Sequence, residues 1–99
     1  MITVVIVVAD LGERAWRFRG NRRAGARLIA WGAELPLARG APDLDDLTVH
    51  ADCEPWLAGQ VEREVCLALR QLLARGSPPR PGDVVTLSGL PVPDRTRLN

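Results

Sequence analysis

The sequence contains no lysine, and all thirteen of its basic residues are arginines. Every cationic side chain of this protein therefore has the planar, forked geometry of a guanidinium group, which lysine lacks. The arginines are unevenly spread, because residues 1–40 carry seven of them against three acids, whereas residues 41–80 carry four against seven acids. The formal net charge is only +1 and indicates no class of partner, so the basic first part of the chain is the more informative feature.

Long hydrophobic runs and closely spaced cysteines are also missing. The run at residues 2–9, apolar except for Thr3, is too short to cross a bilayer as a helix. Neither a basic segment before it nor a small-residue cleavage site after it marks a secretion signal. Cys53 and Cys66 are the only cysteines, and two such thiols without an export signal are typical of reduced cysteines. We expect a cytoplasmic protein without a disulfide.

The length and composition predict one globular domain. The chain has 99 residues, of which 46% are hydrophobic and 25% charged. A domain of this size buries roughly 60–70% of the surface that its unfolded chain exposes, which leaves little room for a deep enclosed site. We predict a single α+β domain over residues 1–90, followed by an extended tail over residues 91–99.

The clearest element is a helix over residues 54–75. Apolar residues recur there at helical spacing, Pro55 suits the first turn, and Gly76 follows the last turn. The apolar stripe is formed by Leu57, Val61, Val65, Ala68 and Leu72. This long helix would pack against a small, mainly antiparallel sheet of four or five strands.

The strands are predicted from β-branched residues and from turn signals. Residues 2–9 read as a central strand that is covered on both faces, since they show no polar alternation; a buried helix is the alternative. Residues 33–46, which contain Pro36, are expected to form a short edge strand at best and then a loop. Residues 47–51 and 83–88 are predicted as further strands.

The segment "ERAWRFRGNRR", residues 13–23, predicts a hairpin with its turn at Gly20-Asn21, because Trp16 and Phe18 alternate with arginines on one side of that turn signal. A short helix capped by Asn21 is the alternative for residues 22–31. In the hairpin, Trp16, Phe18, Arg23, Arg27, Ile29 and Trp31 would share one face, and Arg17, Arg19, Arg22, Ala24, Ala26 and Leu28 the other.

The leading functional hypothesis is a non-enzymatic module that contacts nucleic acid or another polyanion. Arginine neutralises phosphate and stacks on bases. The predicted contact residues are Arg17, Arg19, Arg22, Arg23 and Arg27, of which the first three would share the solvent face. A solvated sheet face or a subunit contact is the alternative.

A second hypothesis is an interaction subunit, either a homodimer or a component of a larger complex. Trp56, Arg63 and Leu67 form a small stripe on the helix, opposite the core stripe, and exposed apolar groups in a row are typical of a partner surface. A second buried face of the helix is the alternative. An apolar sheet edge could serve instead of this stripe or beside it, and Val92 in the tail could cross to a neighbouring subunit.

The third hypothesis is a small metal- or cysteine-dependent enzyme. His50, Asp52, Cys53 and Glu54 are metal-ligand types, and Cys53 at a helix N-terminus with His50 as base could act as a nucleophile. Asp10, which follows a strand, is an alternative catalytic carboxylate. Neither a GxGxxG nor a Walker pattern occurs, no second ligand pair stands at zinc spacing, and we predict no cofactor, no bound metal and no membrane partner.

Overall fold

The computed structural model describes residues 1–39 and 41–92 and shows one helix packed against a curled antiparallel sheet. The elements are β1 (Ile2–Leu11), β2 (Ala15–Ala24), β3 (Arg27–Ala38), β4 (Ala41–Pro42), a 3-10 turn (Leu44–Asp46), β5 (Thr48–Ala51), α1 (Pro55–Leu73) and β6 (Val84–Leu90). The strand order is β4-β3-β2-β1-β6, and β5 also pairs with β3. The predicted α+β class, with one helix packed on a mainly antiparallel sheet, is confirmed; the sheet has six strands when the two-residue β4 is counted, and α1 has 19 residues.

Strand β1 is central, as predicted, because it lies between β2 and β6. The prediction that it is covered on both faces is wrong. Ile2, Val4, Ile6 and Val8 are buried, whereas the intervening residues are only half-buried. The helix covers one face of the sheet, and the valines on the other face tolerate partial exposure because their β-branched side chains favour strand backbone.

The predicted position of the hairpin turn is wrong. Strand β2 runs straight through Gly20-Asn21, and the chain turns at Gly25-Ala26, so that Ala24 pairs with Arg27. Gly25 has a φ of 61°, which fits the first position of a type II′ turn, where glycine is favoured. The short-helix alternative for residues 22–31 is also excluded, since these residues form the hairpin.

The shifted turn exchanges the faces of two neighbouring arginines. Because β2 stays extended beyond Gly20, its even-numbered residues continue to face the helix. Arg22 pairs with Ile29 on the buried face, and Arg23 lies on the opposite face. Trp16, Phe18, Ile29 and Trp31 are on the helix side, as the sequence predicts.

Position 20, inside β2, requires glycine because the Val5 backbone and the Trp31 side chain approach its Cα closely. A Cβ built at this position would lie 1.8 Å from the carbonyl oxygen of Val5 and 2.8 Å from Cζ2 of Trp31. Only a residue without a side chain allows the indole of Trp31 and the β1 backbone to approach this point. The glycine that resembles a turn signal is therefore a packing position.

Strand β3 is longer than predicted and extends through Pro36 to Ala38. The amide of Leu37 donates to the carbonyl of Arg14 at 2.9 Å, so that the neighbouring Pro36 nitrogen points away from β2. On the side of β3 away from β2, β5 pairs with Trp31–Glu34 and β4 pairs from Leu37 onward. Pro36 lies between these two pairings and has no partner among the described strands on this side. A missing N–H is harmless there.

The core lies between α1 and the helix-facing side of the sheet. The helix contributes the predicted stripe residues other than Leu57, all of which are buried, together with Leu69. The sheet contributes Ile2, Val4, Ile6, Val8, Phe18, Ile29, Trp31, Leu35, Leu87 and Leu90, among others. Of the predicted tail, only Pro91 and Val92 belong to the described residues; Val92 is 48% exposed.

Candidate functional site

The side of the sheet that faces away from α1, here called the open face, is not covered by any described helix or strand. Its residues follow from the strand registers and their alternate exposure. They are Thr3, Val5, Val7, Asp10, Arg17, Arg19, Asn21, Arg23, Leu28, Ala30, Gly32, Glu34, Thr48, His50, Val84, Thr86 and Ser88. Among the described residues of the open face none is Trp, Phe or Tyr, the large aromatic side chains on which successive bases usually stack.

The five arginines proposed for polyanion binding do not form one surface. Arg22 is only 9% exposed and donates through Nε to Oε2 of Glu64, a helix residue that is fully buried. Gln60 donates to the other carboxylate oxygen of Glu64 at 3.2 Å, and Arg22 also donates to the carbonyl of Arg23. Arg22 is thus held inside the core and is removed from the proposed contact surface.

Arg27 is committed to a second acid at the tip of the hairpin. Its Nη1 lies 3.0 Å from Oε2 of Glu54, just before the helix begins. The hydrogen bond from Arg27 lowers the pKa of the Glu54 carboxyl, and the same bond raises the pKa of Arg27. Both side chains are about half-exposed, so this pair is a surface contact with a small energetic value.

Arg17 lies on the open face between two carboxylates. Its guanidinium is 3.6 Å from Glu34 and 3.9 Å from Asp10. Asp10, the alternative catalytic carboxylate, is therefore in contact with an arginine. Both acids offset the positive charge of Arg17 at the point where a phosphate would have to approach.

Arg19 and Arg23 are exposed on the open face, and neither has an ion-pair partner among the described residues. With Arg17 they bring three positive charges to the open face against the two negative charges of Asp10 and Glu34. The strongly basic ribbon that the sequence suggests is thus reduced to two uncompensated arginines.

In the described part of the chain, the residues of the enzyme hypothesis show neither a thiol with a lowered pKa nor a metal-binding cluster. His50 is exposed on the open face, next to Gly32 of β3. Partial burial raises the pKa of the Cys53 thiol, and the neighbouring Glu54 carboxylate raises it further. A raised pKa disfavours the thiolate that a nucleophile requires. In residues 1–39 and 41–92, no group of three or more His, Cys, Asp or Glu side chains could hold a metal ion.

The predicted helix stripe is divided between a groove and solvent. Arg63 and Leu67 line an open groove of about 600 Å³ between α1 and β5, together with Leu47, Val49 and Cys66. Trp56, which is 77% exposed, lies outside this groove. Burial raises the pKa of the Cys66 thiol in the groove wall.

The two edges of the sheet differ in chemistry. At one edge, β4 and β5 are only two and four residues long, β4 contains Pro42, and Asp43, Asp45 and Asp46 follow it. Short strands, proline and charge are the features that protect an edge from pairing with another chain. At the other edge, β6 has seven residues, "VVTLSGL", with neither a charge nor a proline, and Val84 is 64% exposed.

The sequence analysis does not identify the buried Glu64 or the uncharged β6 edge, although each has a signal in the sequence. Glu64 stands three residues after Val61 and four before Ala68, a spacing that places it on the buried stripe of the helix. The uncharged composition of residues 84–90 is visible in the sequence, but its importance depends on β6 being an edge strand, which only the pairing reveals.

Comparison of this chain with protein-family models, with curated proteins and with solved structures finds no match. Its class is defined by its own topology, a single helix on one face of a curled six-stranded antiparallel sheet. Over the described ranges, no helix has the length and apolar composition that crossing a membrane requires.

Proposed function

We propose that this protein is a non-enzymatic interaction subunit that accepts a strand from a protein partner at the β6 edge of its sheet. The observation that carries the proposal is the uncharged outer edge of β6, which no described strand covers. An unprotected edge of this kind is a template for strand addition. The two free cysteines support a cytoplasmic location as part of the same proposal.

The backbone groups available to a partner follow from the ladder between β1 and β6. The amide of Val8 donates to the carbonyl of Asp83 at 2.9 Å, which fixes the alternation along the strand. Val85 and Leu87 therefore direct their backbone groups toward β1. Val84, Thr86 and Ser88 direct theirs outward, and all three residues are exposed.

The side chains around this edge favour a protein strand over a charged ligand. Strands β6 and β1 contribute Val84, Val7 and Val5 to the open face, and the last two are half-buried. A strand added beside β6 would extend this apolar half of the open face. The arginines of the open face lie on β2, which is separated from this edge by β1. Arg80, which precedes β6, is bonded through its backbone to Asp83.

A synthetic peptide with the sequence of residues 83–90 is the probe that tests this proposal. We expect it, when added to the dilute protein, to shift the amide resonances of Val84, Thr86 and Ser88 and to slow their hydrogen exchange. The matched control is a Thr86→Lys variant, because an edge charge opposes strand addition. A peptide that leaves these amides unchanged, or that affects the β5 edge equally, would refute the proposal.

Contact with a polyanion through the open face is the second candidate function, and the exposed, uncompensated Arg19 and Arg23 are the observation that favours it. Binding of this kind would depend strongly on salt, because each neutralised phosphate releases counterions. The test is a titration with single-stranded and duplex oligonucleotides at several salt concentrations.

For the polyanion candidate we expect the Arg19→Ala/Arg23→Ala variant to reduce the slope of log affinity against log salt by about 2, or about 1 for each arginine removed. The control is Arg63→Ala/Arg70→Ala, which removes two exposed arginines from the helix. Equal losses in both variants, or no binding by the wild-type protein at low salt, would exclude the candidate.

A further inference from the structure

We infer that the partner strand at the β6 edge is β6 of a second copy of this chain, paired antiparallel about a two-fold axis at Thr86. This inference rests on the proposed function and adds to it the identity of the partner and the register of pairing. A two-fold interface brings each surface patch against a copy of itself, so the patch must be compatible with its own chemistry.

Charge is the first reason for a second copy. A charged residue near a two-fold axis approaches its own like charge, and like charges directly opposite each other destabilise a strand pair. Strand β6 has no charged residue, and β1 beside it has none before Asp10. The two strands nearest the axis in each copy would therefore meet without repulsion, whereas the opposite edge, with Asp43, Asp45 and Asp46, would repel itself.

The register follows from the backbone groups that point outward. Only Val84, Thr86 and Ser88 direct both N–H and C=O away from β1, so these three residues must supply the intermolecular bonds. Pairing Thr86 with Thr86 of the second copy places Val84 opposite Ser88 at both ends. Every outward donor and acceptor of the three residues is then paired.

The regular part of β6 ends where this register requires it to end. Gly89 has a φ of 78°, and the register with β1 shifts at this point. Such a bulge bends the strand and interrupts pairing. The straight segment from Val84 to Ser88 is centred on Thr86, which is the position of the proposed axis. Asp83 would then lie opposite Gly89 of the second copy and not opposite another acid.

Edge pairing about an axis perpendicular to the sheet would place both helices on the same side. The two open faces would join into one surface of twelve strands, with a Thr86 pair at its centre, and threonine pairs are favourable across strands. Because a single strand pair is at the small end of protein interfaces, we expect reversible association with a dissociation constant on the order of micromolar.

Sedimentation of the full chain over a wide concentration range tests the association. We expect the wild-type average mass to rise toward that of a dimer and Thr86→Lys to remain monomeric, because two lysines would face each other at the axis. Thr3→Lys, on the same face but one strand inward, is the matched control and should associate at least tenfold more tightly than Thr86→Lys. A wild-type chain that stays monomeric at high micromolar concentration overturns the inference.

Cysteine cross-linking in a background with Cys53 and Cys66 replaced by serine tests the register. Residues that form a hydrogen-bonded antiparallel pair have Cα atoms about 5.5 Å apart, within the range that a disulfide spans. Thr86→Cys should therefore oxidise readily to a covalent dimer. In the control Ser88→Cys, the two thiols would be four residues out of register, about 13 Å apart along the strand, and should not cross-link.

Equal cross-linking of Thr86→Cys and Ser88→Cys, or none by Thr86→Cys, overturns the proposed register. These outcomes are distinct from failure of the proposed function. A chain that is monomeric in sedimentation but still binds the 83–90 peptide at its β6 edge would retain the interaction function with a different partner. If the chain neither associates with itself nor binds the peptide, both proposals are wrong.

Discussion

Arg22 of strand β2 and Glu64 of helix α1 form an ion pair inside the core, where Glu64 is fully buried and Arg22 is 9% exposed. Gln60 satisfies the second carboxylate oxygen of Glu64, so the pair belongs to a small polar network between the helix and the sheet. The network fixes which residue of β2 faces the helix, because a shift by one residue would place Arg23 there and expose Arg22.

Removal of one partner of this pair should be strongly destabilising. We expect Arg22→Met to lower the free energy of unfolding by about 3–5 kcal/mol, because it leaves the Glu64 carboxylate buried without its cation. The control is Arg23→Met, an exposed neighbour on the open face, which should change stability by less than about 0.5 kcal/mol. Urea unfolding measures both values.

The double variant Arg22→Met/Glu64→Leu separates the cost of an unpaired charge from the value of the pair. Because both charges are removed, we expect most of the stability lost in Arg22→Met to be regained. A double variant that is as unstable as the single one would show that Glu64 stabilises the core through contacts other than the pair with Arg22.

Gly20 on β2 and Gly32 on β3 test the close packing around Gly20, because a Cβ collides at the first position and fits at the second. Gly20→Ala should destabilise by about 1–3 kcal/mol or more, because its Cβ would collide with the Val5 carbonyl and the Trp31 indole. A Cβ at Gly32 meets nothing within 4 Å, so Gly32→Ala should be neutral or slightly stabilising. Thermal unfolding of both variants checks this, and equal effects would contradict the close approach at Gly20.

The helix face is tested by a carboxylate at its C-terminal end. Leu72 is 6% exposed, so Leu72→Asp buries an unpaired charge and should largely unfold the domain. Gln71→Asp introduces the same group on the exposed neighbouring position and should leave a cooperative transition close to that of the wild type. A folded Leu72→Asp variant would show that the buried face is assigned wrongly.

The fold class and the helix could be predicted from the sequence because both depend on local periodicity. The spacing of Val61, Val65 and Leu72 defines the helix without knowledge of its neighbours. The hairpin register could not be predicted, since Gly20-Asn21 and Gly25-Ala26 are both acceptable turns. What decides between them is the long-range contact of Trp31 and the β1 backbone with Gly20, which no local pattern contains.

The candidate site was predictable only in part for the same reason. Alternation correctly places Arg17 and Arg19 on the face opposite Trp16 and Phe18. The positions of the Arg22 and Arg27 side chains depend on Glu64 in the distant helix and on Glu54 just before it, and the identity of the edge strand depends on the whole strand order. Local sequence patterns therefore identify the charged residues, but they do not show which of these residues form ion pairs with acids distant in the sequence.

Thiol chemistry tests whether either cysteine can act as a nucleophile. The pKa values of Cys53 and Cys66 are both raised, by partial burial first of all, so the reactive thiolate fraction at neutral pH should be smaller than in a free cysteine. We expect both cysteines to react with a thiol reagent more slowly than a model thiol at neutral pH, and the rate to rise only at more alkaline pH. Cys53 reacting faster than the model thiol near neutrality would support the enzyme hypothesis.

Residue-resolved hydrogen exchange along β6 is the most direct measurement of the proposed interaction edge. In dilute protein, the outward amides of Val84, Thr86 and Ser88 should exchange fast, while those of Val85 and Leu87, bonded to β1, should be protected. At high protein concentration all five should be protected, and Thr86→Lys should abolish the added protection. If Val84, Thr86 and Ser88 exchange equally fast at every concentration while Val85 and Leu87 stay protected, self-pairing through β6 is contradicted.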